Sequence, residues 1–200
     1  MASGRSIIFV MFLVGAVLLG GYEFVRRSAT PHEVEKIEDR GALIGVFDRV
    51  YHFLGDRYRV RQGEGEGDAP IGTVIVSTLA EDDSDATSIT SHRIGRIDGA
   101  YLLEIEDGAP PKVIVTFRSP DANGAAEGVL YSLVGEDWSG KALEPLAREI
   151  LDRYLGNDQY EQQGAFLYRT VTLDPRVADG PNVEQRLFYD FHNQRWEVVR

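Results

Sequence analysis

The spacing of apolar positions changes along the chain, and each change predicts a different kind of element. Residues 7–25, IIFVMFLVGAVLLGGYEFV, carry no charge before Glu23, and the uncharged run from Ser6 to Tyr22 predicts a membrane-spanning helix over about 7–25. Arg5 precedes the run, and Tyr22, Arg26 and Arg27 follow it, as aromatic and snorkelling side chains do at a membrane interface. No polar face interrupts it, which separates it from a buried core helix. A cleaved signal peptide is the rival reading, but only Val14-Gly15-Ala16 resembles a cleavage site and apolar residues continue past it. Ala16 and Gly20 lie four residues apart with Gly15 beside them, a small-residue face on which a second helix can pack closely.

After a connector at 28–32, the positions Val34, Ile37, Gly41, Ile44, Phe47, Tyr51 and Leu54 step by three and four. They predict an amphipathic helix over 33–54, ended by Gly55. Past the acidic, glycine-rich stretch 63–68 the period falls to two. Strands are expected at 57–61, 72–78, 89–97, 100–106, 112–118 and 127–134, with Asp98-Gly99 as a hairpin turn and further turns at Asp107-Gly108 and Asn123-Gly124. Leu143, Leu146, Ala147, Ile150, Leu151, Tyr154 and Leu155 predict a second helix over 140–155, capped by Ser139 and ended by Gly156. Strands follow at 164–173, 183–191 and 195–199. The expected fold class is α+β: an N-terminal transmembrane helix, then a mostly antiparallel sheet with two amphipathic helices packed on it. The expected organisation is a membrane anchor at 1–27, the connector 28–32 and one soluble domain at 33–200.

Charge narrows the partners. The 200 residues hold 21 Lys and Arg against 32 Asp and Glu, and all but three of the basic and one of the acidic residues lie beyond residue 30. So acidic a domain repels phosphate backbones, and no nucleic-acid partner is expected. The absence of Cys excludes disulfides and thiolate metal sites. His32, His52, His92 and His192 show no metal-ligand spacing; Asp48 and His52, four apart on the expected helix, read as a solvated pair. The run Glu81-Asp82-Asp83-Ser84-Asp85 lacks the glycine and distant glutamate of a calcium loop, and Gly63-Glu64-Gly65-Glu66-Gly67 puts carboxylates where a phosphate would sit. No Gly-x-Ser-x-Gly elbow occurs. No catalytic residue, cofactor or metal is therefore assigned.

The last strands are rich in aromatics. Leu187, Tyr189 and Phe191 alternate to one face and Phe188 to the other, so Phe188, Tyr189, Phe191 and Trp196 form the candidate docking surface where they are not core. These features predict a single-pass, membrane-anchored accessory or assembly subunit of a membrane protein complex, non-enzymatic and acting by protein–protein binding. Its membrane protein partners would meet the anchor, the soluble domain or both, with the anchor in the lipid bilayer. A membrane-anchored ligand-binding or sensor domain is the alternative, and an anchored hydrolase the third. The flanking arginines favour a cytoplasmic domain, whereas the short N-terminal tail favours translocation; the extracytoplasmic side is the one expected.

Overall fold

The computed structural model of the chain describes residues 34–42, 45–66, 69–119, 125–175 and 183–199. The expected span at 7–25, with Gly15, Ala16, Gly20, Tyr22, Arg26 and Arg27, lies outside the described residues, as do the connector and the Asn123-Gly124 turn.

Strands β1 (Lys36–Asp39), β2 (Asp48–Phe53), β3 (Asp56–Gln62), β4 (Ile71–Leu79) and β5 (Asp85–Ile94) form a first sheet in chain order. A second holds β6 (Arg96–Leu103), β7 (Lys112–Arg118), β8 (Ala126–Val134) and β9 (Asp137–Ala142), and a third holds β10 (Tyr154–Gln163), β11 (Phe166–Leu173), β12 (Val183–Asp190) and β13 (Arg195–Val198). Every neighbouring pair is antiparallel.

The second sheet buries residues from both its faces. Val113, Val115 and Phe117 of β7 pack with Tyr51, Phe53, Tyr58, Val60, Val74 and Val76 of the first sheet. The intervening Ile114 packs with Leu167, Val171, Leu187 and Tyr189 of the third. Two buried faces explain why β7 reads Val-Ile-Val-Thr-Phe without polar alternation. The Trp138 indole N–H of β9 donates to the Thr87 hydroxyl of β5 at 3.1 Å, and its ring meets Tyr58 edge-on at 6.4 Å, tying the first two sheets at their margins.

The α+β expectation is overturned: the described chain is nearly all antiparallel sheet, and its one α-helix, α1 (Arg148–Leu151), is a single turn. The helix expected at 33–54 is the β1–β2 hairpin, with Ile37 opposite Tyr51. Of the positions in the three-and-four series Tyr51 enters the core, joined there by Phe53, whereas Ile37 and Leu54 are exposed, so the spacing does not trace one buried face. A Cβ on Gly41 would lie 2.0 Å from the Val46 carbonyl oxygen, a crossing of backbone that only glycine permits. Leu54 and Gly55, at φ 51° and 83°, make the tight turn into β3.

The helix expected at 140–155 is displaced by Pro145, whose ring disfavours helical backbone at Glu144. Ser139 lies in β9 instead of capping, Leu143 and Leu146 reach the core from extended chain, and β10 begins at Tyr154. The hairpin expected at Asp98-Gly99 is a bulge within β6, and the chain turns at Gly95, φ 92°. The single-pass transmembrane expectation is corrected likewise: among the described residues no helix is long and apolar enough to cross a membrane.

Candidate functional site

The third sheet has one core face and one solvent face. Along β11, Leu167, Arg169, Val171 and Leu173 point inward and are buried, which sends Phe166 and Tyr168 outward. Register pairs Tyr168 with Phe188 on β12, and Phe188 with Glu197 on β13. Phe166 is 52% exposed and its ring lies 6.3 Å from that of Tyr168. Val199 continues this surface, and an open trough of about 830 Å³ is lined by these side chains together with Val198 and Trp196, whose register partners Leu187 and Tyr189 lie on the core face.

Charges on this surface are paired among themselves. The Arg186 guanidinium stacks 4.1 Å above the Tyr168 ring and bonds Glu161 at 3.0 Å, and Arg195 bonds Glu197 at 2.7 Å. Of the four side chains expected to dock, Phe188 lies on this outer face. Tyr189 and Trp196 are buried in the core with their rings 5.0 Å apart, and Phe191 packs beside Tyr189 at 5.0 Å. Phe166 and Tyr168 were missed as members. Alternation in residues 164–173 carried the signal, but only the pairing of β11 with β12 places them beside Phe188.

Beneath this face lies a buried ion pair. Arg169 occupies an inward position of β11, and its Nε and Nη2 each donate to Asp158 of β10 at 3.0 Å. The guanidinium carbon lies 5.5 Å from the centroid of Tyr160, 5.6 Å from Trp196 and 5.8 Å from Tyr154. Asp158 also accepts the Tyr154 hydroxyl and, at 2.5 Å, the Ala126 N–H of the second sheet. Burial pushes the Tyr154 hydroxyl above its ordinary range and the hydrogen-bonded Asp158 adds to it; burial does the same to Tyr160. Both phenols are thus held neutral and suit structural hydrogen bonding better than proton abstraction. Burial presses Arg169 downward, but the paired bonds to Asp158 outweigh it and hold the guanidinium charged. Beside the pair, Phe117, Val129, Leu143 and Leu146 help line a cavity of about 350 Å³.

The other sequence candidates fall into an ion-pair lattice on the first sheet. Asp48 receives Arg59 through two bonds of 2.8 and 2.7 Å, while His52 Nε2 lies 3.0 Å from Glu38, so the expected Asp48–His52 pair is divided between other partners. Asp83 of the acidic run takes Arg40 and Arg57, and Asp85 takes Arg61 and the Ser77 hydroxyl. Glu66 of the glycine-rich stretch accepts the Thr73 N–H and hydroxyl and pairs with Arg93. Burial raises its carboxyl, but those bonds prevail and hold it below the usual range. Among the described residues no group of three or more His, Asp or Glu is placed to hold a metal ion. No protein-family model matches the chain, and no curated protein or solved structure matches it.

Proposed function

We propose that this chain is an accessory or assembly subunit that acts by protein–protein binding, with the outer face of the third sheet as its docking surface. The observation that carries this reading is the aromatic group Phe166, Tyr168 and Phe188 facing solvent across two paired strands. An aromatic-rich apolar trough of this size marks an interaction site more often than an idle surface. Its bordering charges are satisfied by one another, so it selects an uncharged, apolar segment of a partner protein in preference to an acidic or basic one. The uncharged run from Ser6 to Tyr22 supports locating that complex at a membrane.

Site-specific photocrosslinking in the native host tests the reading. A crosslinker at Phe166 is expected to give one discrete protein adduct, lost in a Phe188→Asp background, while the same probe at exposed Thr90 on the first sheet gives none. Lipid adducts alone, or equal adducts at both positions, would remove the docking surface from consideration.

A ligand-binding role is the second reading, favoured by the cavity of about 350 Å³ between the second and third sheets. Its volume lies within the range of small-molecule sites. Native mass spectrometry of the gently purified chain is expected to show a bound mass if this reading holds, and bare protein if it does not.

A further inference from the structure

One edge of the third sheet is left open. The Val199 N–H donates to the Arg186 carbonyl of β12 at 3.1 Å, and antiparallel alternation gives Glu197 and Arg195 their main-chain bonds to β12 as well. Trp196 and Val198 therefore turn their N–H and C=O groups away from β12, and among the described residues those groups have no hydrogen-bond partner. The opposite edge is covered. On β10 the Asp158 carbonyl accepts Arg118 at 2.7 Å and the Tyr160 carbonyl accepts the Tyr101 hydroxyl at 3.2 Å, both from the second sheet.

Trp196 lacks a further bond. The residue is 5% exposed, and its indole N–H is buried without an acceptor among the described residues. Two unmet donors on one buried residue mark a place where an incoming acceptor gains most. Space for it is present. The trough of about 830 Å³ is lined from both faces of the sheet, by Phe188 and Val199 on one and Trp196 and Val198 on the other, and so runs round the edge of β13. A second open groove of about 550 Å³ shares Ala147, Arg195 and Trp196 with it and extends along Pro145 and Leu146.

Unpaired main-chain groups in strand register are matched by one kind of occupant, another extended backbone. Strand addition of this sort takes affinity from main-chain bonds and specificity from alternate side chains. Val198, 45% exposed on the core face of its strand, is covered only if the added strand carries an apolar residue beside it. Arg195 and Glu197 bond each other and so call for no charge on the newcomer. We propose that the partner protein presents an extended, uncharged segment with apolar side chains at alternate positions, which pairs with β13 as a fifth strand of the third sheet. This rests on the third sheet as the docking surface and specifies how the segment is held there.

Photocrosslinking from p-benzoylphenylalanine at Phe166 of the full chain, in the native host, tests the mode of binding through two further variants. Val198→Pro removes an N–H that makes no bond to β12 and puts its ring where the added strand would lie, whereas Val198→Ala keeps the N–H. The protein adduct is expected to fall about tenfold or more in Val198→Pro and no more than about twofold in Val198→Ala, with thermal midpoints close to wild type. Without any variant at 198, hydrogen exchange at the Trp196 and Val198 amides is expected to be slower in the purified adduct than in the free chain, and that at Glu197, bonded to β12 in both, to be unchanged. An adduct that survives Val198→Pro, or unchanged exchange at Trp196 and Val198, overturns the added strand and leaves the docking face standing. An adduct joining two copies of this chain overturns the assignment to a partner protein. Absence of any adduct removes the docking face and the added strand together.

Discussion

At the scale of single residues, the buried pair of Asp158 and Arg169 carries the largest consequence. Alternation along β11 reserves that position for an apolar side chain, and the arginine is tolerated there because Asp158 neutralises it and three rings surround its guanidinium. Breaking a buried pair by removing one partner strands the other, at a cost of about 3–5 kcal/mol. Asp158→Ala should therefore lower unfolding free energy by that amount in urea titrations. Asp158→Asn, which keeps one acceptor for the Ala126 N–H, should lose less. An equal loss in both would mean that charge, not hydrogen bonding, sets the penalty. Gly95 is a second sensitive point. Its φ of 92° and the Arg118 carbonyl oxygen, 2.5 Å from where a Cβ would lie, make Gly95→Ala strained in backbone and in space. A loss of about 1–3 kcal/mol is expected. Gly45→Ala, at φ 68° but with nothing within 4 Å, should cost less by the same measurement.

At the scale of elements, what could be read in advance follows from which interactions are local. β7 coincides with the strand expected at 112–118, because a short apolar run of β-branched residues bounded by Lys112 and Arg118 admits few other readings. The helices expected at 33–54 and 140–155 give way to strands because a spacing of three and four also arises when two strands and a turn follow one another, and because Pro145 and the positive-φ turn at Leu54-Gly55 interrupt helical backbone. The position of Phe188 on a face of its own was legible from alternation alone. Its neighbours Phe166 and Tyr168 were not, since the register between β11 and β12 is a non-local choice. Burial on both faces also sets an expectation for β7. Ile114→Ala and Val115→Ala, which empty opposite sides of the same strand, should each cost about 2–4 kcal/mol in chemical denaturation. In β11, Val171→Ala should cost a similar amount and the outward Thr170→Ala less than about 1 kcal/mol, as one buried face requires. A harmless Ile114→Ala would contradict the packing of the second sheet against the third.

At the scale of the whole molecule, the outer surface of the first sheet is a net of ion pairs, and its worth depends on pH. Glu38 belongs to it from the edge strand β1: hydrogen bonds from Lys36, then Arg40, then His52 hold its carboxyl down at about 2, against an ordinary value of 4.5. Where a carboxyl is depressed by folding, the unfolded chain binds more protons between the two values, so stability rises with pH across that window. The contribution of Glu38 is therefore fully present above about 4.5 and is lost as pH falls through about 2. Glu66 is shifted in the same direction and adds to the acid side of the profile. Relief of self-repulsion in so acidic a chain works in the opposite sense as the other carboxylates protonate, so the wild-type profile alone does not isolate the ion pairs. The difference between wild type and Glu38→Gln does. Urea midpoints measured from about pH 7 down to about pH 2 should show wild type more stable by a constant margin above about pH 5, with the margin shrinking towards zero below it. Because the pairs are solvent-exposed, about 0.5 M sodium chloride should reduce that margin. A margin that stays constant down to pH 2 would show that Glu38 titrates alike in the folded and unfolded chains, and that the lattice around it contributes shape without electrostatic stabilisation.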